Sequence, residues 1–375
     1  MISSKDFIDL LISHDFTFFT GIPDSTFKDL MKYLSEEDTN LNNIIACNEC
    51  EAIALASGYH LATNKIGTVY MQNSGLGKAV NPLTSLCDPE VYSIPILLMI
   101  GWRGEPEKKD APQHKKMGRI MLSMLESLEI PYIILDPDLD YINSNLIKAK
   151  NYFNKQKGPF ALIFRRNFFK EHKMKKSLSN DHSMSSNDAI NLLMDNLDNE
   201  EIIISTTGYI SRELFEYREK NKLNHNQSFY NIGAMGSASS IGLGIALQKP
   251  HKRVIIFDGD GAAIMQMGAF TTIGKNSPSN FVHIIFDNEA HESTGGQPTN
   301  SSIVEFTGIA AASNYRSTIL IQTQEELMNS IDQIKNGNGP ILIHIKINLS
   351  DNKVLKRPNK HPKEYKEEFM KHLIN

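Results

Sequence analysis

The chain has 375 residues, with 39 Lys and Arg against 43 Asp and Glu, which leaves a formal charge of −4 at pH 7. This mild acidity gives no reason to expect a nucleic acid or an anionic membrane as partner, because both bind basic surfaces. Hydrophobic residues make up 41% and charged residues 22% of the chain, a balance that excludes a disordered or fibrous protein.

Nothing in the sequence predicts export or membrane insertion. The longest strongly apolar run, residues 94–100, is interrupted by Pro95 and is far too short to span a bilayer. The amphipathic N-terminus MISSKDFIDLL lacks the apolar core of a signal peptide. Three cysteines cannot all pair in disulfides. We therefore expect a cytoplasmic protein of two or three domains.

Short apolar runs typical of buried strands alternate with segments of helical periodicity along the first half. Strands are predicted at Phe16–Thr20, Ile44–Ala46, Gly67–Gln72, Ile96–Gly101, Tyr132–Leu135 and Phe160–Phe164. Helices are predicted between them, including Ser25–Tyr33, Glu51–Ala62 and Lys78–Leu86. Runs that are apolar at consecutive positions indicate strands covered on both faces, as in parallel sheets.

The second half repeats this alternation after a polar, Ser- and Lys-rich stretch at residues 170–187. Strands are predicted at Ile202–Ser205, Val254–Phe257, Phe281–Phe286, Thr318–Ile321 and Ile341–Ile347, with a helix at Ala263–Gly274. The polar stretch is typical of an exposed linker. The sequence thus predicts an α/β fold of two doubly wound parallel-sheet domains, residues 1–170 and 188–375, joined by a linker at residues 171–187.

A possible metal and phosphate site follows two of the predicted strands in the second half. RVIIFDGDG delivers Asp260 into a turn between Gly259 and Gly261, and the next strand ends at Asp287 and Asn288. Glycine lets a backbone approach phosphate closely, and the carboxyl ends of parallel strands share one edge of the sheet. A carboxylate and an amide oxygen beside phosphate oxygens suit Mg²⁺.

Gly-Asp-Gly followed at this spacing by Asn resembles the cofactor motif of thiamine-diphosphate-dependent enzymes. The resemblance implies that Asp260, Asn288 and the backbone carbonyl of Ala290 hold Mg²⁺, and that Gly259, Gly261 and Ala262 lie against the cofactor. It also implies a pyrimidine-binding domain followed by a diphosphate-binding domain. The length leaves no room between them for the middle domain of larger members.

The first half contains a second, independent marker of the same family. NECEAIALASGY, residues 48–59, is similar to the start of the helix that carries the family's catalytic acid, which implies this role for Glu49. In the family this acid hydrogen-bonds the aminopyrimidine ring of the cofactor. The alternative is a first-turn Glu that is favoured only by the helix dipole, an interpretation that suits Glu51 better.

Two further segments match the family's cofactor site. NIGAMG implies that the carbonyl of Gly233 accepts the amino group of the pyrimidine and that Met235 props the two rings apart; the alternative is an ordinary core Met. Thr206, Thr207 and Gly208 resemble a diphosphate loop. Family enzymes usually bind the cofactor between two subunits, so a homodimer or a dimer of dimers is implied.

Several segments look closest to the branch of the family that decarboxylates 3-phosphonopyruvate, with sulfopyruvate decarboxylases as near relatives. These segments are GIPDST, QNSGLGKAVNPL, GWRG, DAPQHKKMG and HESTGGQPT. The implied reaction is non-oxidative loss of CO₂ from an anionic 2-oxo acid to give phosphonoacetaldehyde, in the biosynthesis of phosphonates such as 2-aminoethylphosphonate. The sequence leaves phosphonate and sulfonate open, since both are tetrahedral anions.

The same resemblance suggests residues for proton transfer and substrate binding. Asp24 and His114 are candidates for handling protons, although the segment around His114 is typical of a solvated loop. Arg103 offers a planar fork suited to a phosphonate, with Ser25 beside Asp24. The run from Ser293 through Thr294 and Gly295 to Gln297 is expected to form a nest of donors, and Lys78 and Lys109 are weaker candidates.

Three other interpretations remain open. A carboligase of the same cofactor class would join the decarboxylated fragment to a second carbonyl compound. A catalytically silent scaffold or a nucleotide-binding protein would keep the Gly-rich loop for structure alone. Cys47 and Cys50 form a C-x-x-C pair that could indicate redox chemistry, but the residues between them already fit the cofactor motif.

Overall fold

A computed structural model of the chain describes residues 1–36, 41–174, 180–349 and 355–374. The chain divides into two compact units, Met1–Ser177 with His291–Gln297, and Leu178–Ala290 with Pro298–Asn375. Each unit has its own six-stranded sheet and its own hydrophobic core. None of the helices in the described ranges is long and apolar enough to cross a membrane.

The first unit contains a sheet in which all neighbouring strands are parallel, in the order β2-β1-β3-β4-β6-β5. Its strands are β1 Phe18–Gly21, β2 Asn42–Ile45, β3 Gly67–Gln72, β4 Ile96–Gly101, β5 Tyr132–Ile134 and β6 Phe160–Phe164. Its helices are α1 Ser4–Ser13, α2 Lys28–Leu34, α3 Glu49–Thr63, α4 Leu76–Ser85, α5 Pro112–Ser127 and α6 Leu139–Gln156.

The second unit has a parallel sheet in the order β13-β14-β10-β9-β7-β8. Its strands are β7 Ile202–Ser205, β8 Ser228–Tyr230, β9 Val254–Gly259, β10 Phe281–Asp287, β13 Ser317–Ile321 and β14 Ile341–Lys346; the two-residue strands β11 Ala290–His291 and β12 Gln297–Pro298 pair separately. Its helices are α7 Ser186–Asn196, α8 Tyr209–Lys220, α9 Ala238–Gln248, α10 Asp260–Met265, α11 Ala269–Asn276, α12 Phe306–Ala312, α13 Gln324–Asn329, α14 Ile331–Asn336 and α15 Pro362–Ile374.

Burial along the central strands explains why their sequences are apolar at consecutive positions. Every residue of β4 is buried, and so is every residue of β10. Leu97 and Met99 of β4 lie in one cluster with Phe7 of α1 and Leu146 of α6. Because alternate side chains of a strand point to opposite faces, complete burial requires cover on both faces of the sheet. The predicted pair of parallel α/β sheets is confirmed.

Two of the sequence predictions about local structure are wrong. The predicted helix Ala263–Gly274 is two helices, α10 and α11, separated at residues 266–268, where the backbone of Gln266 leaves the helical region. The predicted exposed linker does not extend to residue 187, because Met184 is fully buried in the second core and α7 begins at Ser186 with a capping box. Residues 175–179 of that linker lie outside the described residues.

Candidate active site

The N-terminus of α3 positions the predicted acid of the first unit. Glu49 is the first residue of this helix, directly after Asn48, whose side chain caps the helix by accepting a hydrogen bond from the N–H of Glu51. The Glu49 side chain is only 9% exposed. A Cβ built on Gly75 would collide with its carboxyl group, so glycine at this position leaves room for the acid.

The Glu49 carboxyl group has an oxygen that the surrounding protein does not satisfy. Its Oε2 atom is buried and has no hydrogen-bond partner among the described residues. Nζ of Lys78 lies 4.0 Å from it, beyond hydrogen-bonding distance. A buried carboxylate oxygen without a partner is costly in a folded protein, unless a ligand supplies the missing donor. This arrangement suits an acid that hydrogen-bonds a bound molecule.

Asp24 follows β1 at the same edge of the first sheet and is almost completely buried. Its Oδ1 accepts a hydrogen bond from Nε2 of Gln72 at 2.5 Å, and its Oδ2 accepts one from the backbone N–H of Thr26 at 3.0 Å. A Cβ built on Gly101 would collide with Oδ2. Three neighbouring strands, β1, β3 and β4, therefore end around this carboxyl group.

Arg103, two residues after β4, forms a bidentate ion pair with Asp110. Nε and Nη2 of Arg103 donate to the two carboxylate oxygens at 2.8 and 2.6 Å, and Nη1 donates to Oγ of Ser25 at 2.7 Å. Burial disfavours the charge on Arg103, but its hydrogen bonds and attraction to Asp110 prevail and raise the Arg103 pKa. The predicted phosphonate fork is thus already paired with a carboxylate.

The structure places the predicted histidine differently from the sequence. His114 lies in the first turn of α5, which begins at Pro112, and not in a solvated loop. Its side chain is half-buried. The carbonyl of His114 lies so close to Gly104 that a Cβ there would collide with it, and Gly104 has a φ of +70°. The turn after β4 therefore packs directly against the start of α5.

In the second unit, Asp260 begins α10 directly after β9 and is buried. Its Oδ2 accepts a hydrogen bond from the hydroxyl of Thr299. Burial raises the pKa of Asp260, and the negative charge of the neighbouring Asp287 raises it further. Two buried carboxyl groups side by side disfavour ionisation of one of them, and a divalent cation would relieve this repulsion.

Asn288 and Ala290 follow β10, next to β9 in the sheet, and both are buried. Oδ1 of Asn288 accepts a hydrogen bond from the N–H of Ala290 at 3.1 Å. Between them Glu289 has a φ of +62°, a left-handed conformation that is uncommon for a residue with a side chain. Its carboxylate is held by Nζ of Lys346 at 2.9 Å.

Asp287, the last residue of β10, is the centre of a buried polar network. Its Oδ2 lies 2.8 Å from both Nε2 of His344 and Nζ of Lys346, and its Oδ1 accepts a hydrogen bond from Oγ of Ser301 at 2.7 Å. Burial opposes ionisation of Asp287, but these hydrogen bonds hold its pKa below the usual range. Asp287 is therefore the ionised member of the pair with Asp260.

The segments after β7 and β8 lie beside these residues at the same edge of the sheet. The hydroxyl of Thr206 is buried without a hydrogen-bond partner among the described residues. Gly208 has a φ of +113°, and no atom lies within 4 Å of a Cβ built on it. Thr207 stands between them, half-buried, and α8 begins directly after Gly208 with no side-chain cap. Free helix N–H groups here suit an anion.

The segment NIGAMG follows β8 as a tight turn. Gly233 donates its N–H to Oδ1 of Asn231 at 3.4 Å, Ala234 has a φ of +48°, and Met235 is half-buried. A Cβ built on Gly236 would approach the carbonyl of Ala262 to 3.0 Å. This turn thus packs directly on the Gly259–Ala262 segment.

The hairpin between Ala290 and Pro298 uses two of the predicted nest's backbone donors within its own turn. The N–H of Gly295 bonds to the carbonyl of Glu292 at 3.4 Å, and the N–H of Gly296 bonds to that of His291 at 3.0 Å, so both donors are used within the turn. The Thr294 hydroxyl also bonds to the His291 carbonyl, and Ser293 is exposed. Gly295 and Gly296 therefore offer no free N–H group, whereas Nε2 of Gln297 is buried without a hydrogen-bond partner among the described residues, so the nest stays a prediction.

Several residues of these networks were missed by the sequence analysis. They are Gln72, Asp110, Asp287, Thr299, Ser301, His344 and Lys346. Position relative to a strand was a usable signal for Gln72, which ends β3, and for Asp287, which precedes Asn288. Thr299 and Ser301 lie after a hairpin that no local pattern indicated.

The residues present fit thiamine diphosphate and a divalent cation. The first unit offers a buried acid with an unpaired oxygen, which can hydrogen-bond a ring nitrogen of the cofactor. The second offers a buried carboxylate, an amide and a backbone carbonyl, together with an uncapped helix start, as Mg²⁺ and a diphosphate require. No group of three or more His, Cys, Asp or Glu residues suited to a metal occurs in the described ranges.

Comparisons with known proteins point the same way. A family model described as "Thiamine pyrophosphate enzyme, N-terminal TPP binding domain" matches residues 1–125, and its C-terminal counterpart matches residues 206–345. A phosphonopyruvate decarboxylase from Streptomyces hygroscopicus is 31% identical over 385 residues, which cover 98% of this chain and 93% of the relative.

Sulfopyruvate decarboxylases are also similar to this chain. The protein from Methanosarcina acetivorans is 28% identical over 348 residues, 86% of each chain. In Methanocaldococcus jannaschii two subunits match separately: subunit beta is 36% identical over 152 residues, 40% of this chain and 78% of the subunit, and subunit alpha is 39% identical over 149 residues, 39% and 83%. On the near-complete match to the Streptomyces protein, the chain belongs to the thiamine pyrophosphate enzymes, in the family that contains the phosphonopyruvate decarboxylases.

Proposed function

We propose that this chain decarboxylates 3-phosphonopyruvate to phosphonoacetaldehyde and CO₂, with thiamine diphosphate and Mg²⁺ as cofactors, in the biosynthesis of phosphonates. The buried, unpaired oxygen of Glu49 at the start of α3 is the observation that carries the cofactor assignment. The substrate assignment rests on the near-complete match to phosphonopyruvate decarboxylases.

The positions of the protein residues support the following roles. When bound, thiamine diphosphate supplies a carbon nucleophile and an electron sink for the loss of CO₂. Glu49 would exchange a proton with the cofactor's aminopyrimidine through its unpaired oxygen. Asp260, Asn288 and the carbonyl of Ala290 would hold the cation, while Gly259, Gly261 and the other cofactor-binding segments described above would hold the diphosphate and the rings.

Substrate handling is assigned to the edge of the first sheet. Asp24, held by Gln72 and Thr26, and His114, at the start of α5, would deliver the proton that replaces CO₂ on the product. Ser25 and Arg103 would bind the distal anion, with Ser293, Thr294 and Gly295 as further candidates. The proton taken up balances the reaction, since the 2-oxo carboxylate and H⁺ yield the aldehyde and CO₂.

A panel of 2-oxo acids tests the proposal. With thiamine diphosphate and Mg²⁺ present, we expect CO₂ release to be fastest from phosphonopyruvate among phosphonopyruvate, sulfopyruvate, pyruvate and oxaloacetate. The similarity to sulfopyruvate decarboxylases makes sulfopyruvate the second candidate. A preference for sulfopyruvate or pyruvate would reject the substrate and keep the cofactors. Products with a new carbon–carbon bond, seen by NMR, would indicate a carboligase. Enzymatic CO₂ release that needs neither thiamine diphosphate nor Mg²⁺ would reject both cofactor assignments.

We also propose that two copies of the chain pair in a homodimer or a dimer of dimers. In this arrangement Glu49 of one copy serves the cofactor whose metal is held by Asp260 of the other. The inactive variants Glu49→Gln and Asp260→Asn, mixed after subunit exchange, should then regain about a quarter of the wild-type activity, because half of the dimers are hybrids with one intact site. No recovery in confirmed hybrids would show that both residues of a site come from one chain.

A further inference from the structure

The Asp110 carboxylate organises the turn that carries Arg103. It accepts four hydrogen bonds: two from the Arg103 side chain, one from the N–H of Gly104 at 2.9 Å and one from the N–H of Ala111 at 2.8 Å. Its donors thus come from both ends of the segment between β4 and α5. Burial opposes its ionisation, but these bonds hold the pKa of Asp110 far below the usual range, so the group stays charged.

The backbone of Arg103 and its Nη1 atom are also held by hydrogen bonds. Its backbone carbonyl accepts a hydrogen bond from Nδ2 of Asn73 at 2.7 Å, and its N–H donates to Oδ1 of the same residue at 3.2 Å. Its Nη1 donates to Ser25, whose hydroxyl lies 3.4 Å from Oδ1 of Asp24. The guanidinium therefore has one fixed orientation, beside the proposed proton-handling residue.

This arrangement leaves part of the guanidinium for a ligand. A guanidinium has five N–H bonds, and three of those of Arg103 have partners among the described residues, one on each nitrogen. The two others are on Nη1 and Nη2. Because the two bonds to Asp110 fix the plane of the fork, they also fix the direction of the remaining N–H bonds. Each of these N–H bonds is a charged donor that an anionic ligand can use.

We propose that Asp110 is a positioning residue that determines specificity for 2-oxo acids with a second anionic group. It does so by aiming Arg103 at that group, and it does not touch the substrate itself. The inference rests on the proposed function and adds a residue and a cause of selectivity to it. Such an enzyme should have a lower KM for substrates with a distal anion than for substrates without one, and kcat should differ less.

The test is Asp110→Asn, which keeps the shape of the side chain but turns an NH₂ group towards two donors. KM for phosphonopyruvate should rise about 10- to 100-fold, as expected for charge-assisted hydrogen bonds, whereas KM for pyruvate should change less than about threefold. Arg103→Lys is the second variant, to be used if Asp110→Asn does not fold. It keeps the charge but cannot form the fork, and KM should again rise for phosphonopyruvate and not for pyruvate.

A matched control lies in the same turn. Glu105 accepts a hydrogen bond from Nε of Arg165 at 2.9 Å, so Glu105→Gln removes a comparable ion pair that has no link to Ser25 or Asp24. This variant should keep both KM values. Equal losses for both substrates in Asp110→Asn, or a loss shared by Glu105→Gln, would show a merely structural role and overturn the proposal.

A binding measurement separates this inference from the proposed function. Calorimetric titration with methylphosphonate measures the binding of a phosphonate directly. We expect weaker binding to Asp110→Asn than to the wild type and equal binding to Glu105→Gln. Equal binding to all three would overturn the inference. Selective loss of binding in a protein that releases no CO₂ would reject only the proposed function.

Discussion

Glu49→Gln is expected to reduce the rate of CO₂ release by about 100- to 10,000-fold at saturating cofactor, the range found for a lost general acid or base. Glutamine keeps the size of the side chain in the space beside Gly75. It cannot exchange a proton with the cofactor, however, so binding should survive while activation fails. The measurements are kcat for the 2-oxo acid and, separately, the affinity for thiamine diphosphate by calorimetry.

The control for this prediction is two residues further along the same helix. Glu51 accepts a hydrogen bond from the N–H of Cys47 at 2.6 Å and so has a structural partner, unlike Oε2 of Glu49. Glu51→Gln should lower the melting temperature slightly and leave kcat within a few-fold of the wild type. If Glu51→Gln were the inactive variant and Glu49→Gln the active one, the assignment of the acid would be wrong.

Asp260→Asn should weaken binding of Mg²⁺ by at least about 100-fold, because a neutral amide replaces the single carboxylate among the three proposed ligands. The same substitution should raise the melting temperature of the metal-free protein. Burial and the neighbouring Asp287 raise the pKa of Asp260 in the folded state, so this group lowers the stability at pH values above its unfolded-state pKa, and Asn removes that cost. Calorimetric titration with Mg²⁺ and thermal unfolding measure the two effects.

Asp188→Asn separates loss of metal from loss of stability. Asp188 forms the capping box of α7 with Ser185, and its carboxylate bonds to the N–H and hydroxyl of Ser185 and not to a proposed ligand. This variant should lower the melting temperature, since a cap contributes about 1 kcal/mol, and leave Mg²⁺ affinity unchanged. Unchanged Mg²⁺ binding in Asp260→Asn would remove Asp260 from the metal site.

The central strands were predictable from sequence because a strand that is buried on both faces has apolar residues at consecutive positions. Runs such as Ile96–Gly101 and Phe160–Phe164 have the predicted bounds. Ser228–Tyr230 was missed, since an edge strand of three residues has neither an apolar run nor alternation. The break between α10 and α11 was also missed; it lies at Gln266, which packs against Gly236, a residue distant in sequence.

The candidate site shows the same division between local and distant information. Asp260 and Asn288 stand directly after neighbouring strands, so their positions indicated them, whereas Glu49 was indicated by the resemblance of its segment to the family. The hydrogen-bond partners of the site residues could not be found from local sequence. Asp110 reaches Arg103, and Thr299 reaches Asp260, only after the chain has turned back. Sequence motifs show which residues carry charge, but hydrogen bonds made across the fold decide whether that charge is still available.

Neither six-stranded sheet borrows a strand from the other half of the chain: β1 to β6 form one, and β7 to β10 with β13 and β14 form the other. Strand pairing within the sheets therefore does not require the two halves to be translated as one chain. What the peptide connection guarantees is stoichiometry. A cell that makes the halves as one polypeptide obtains equal numbers of each, without having to balance the output of two genes.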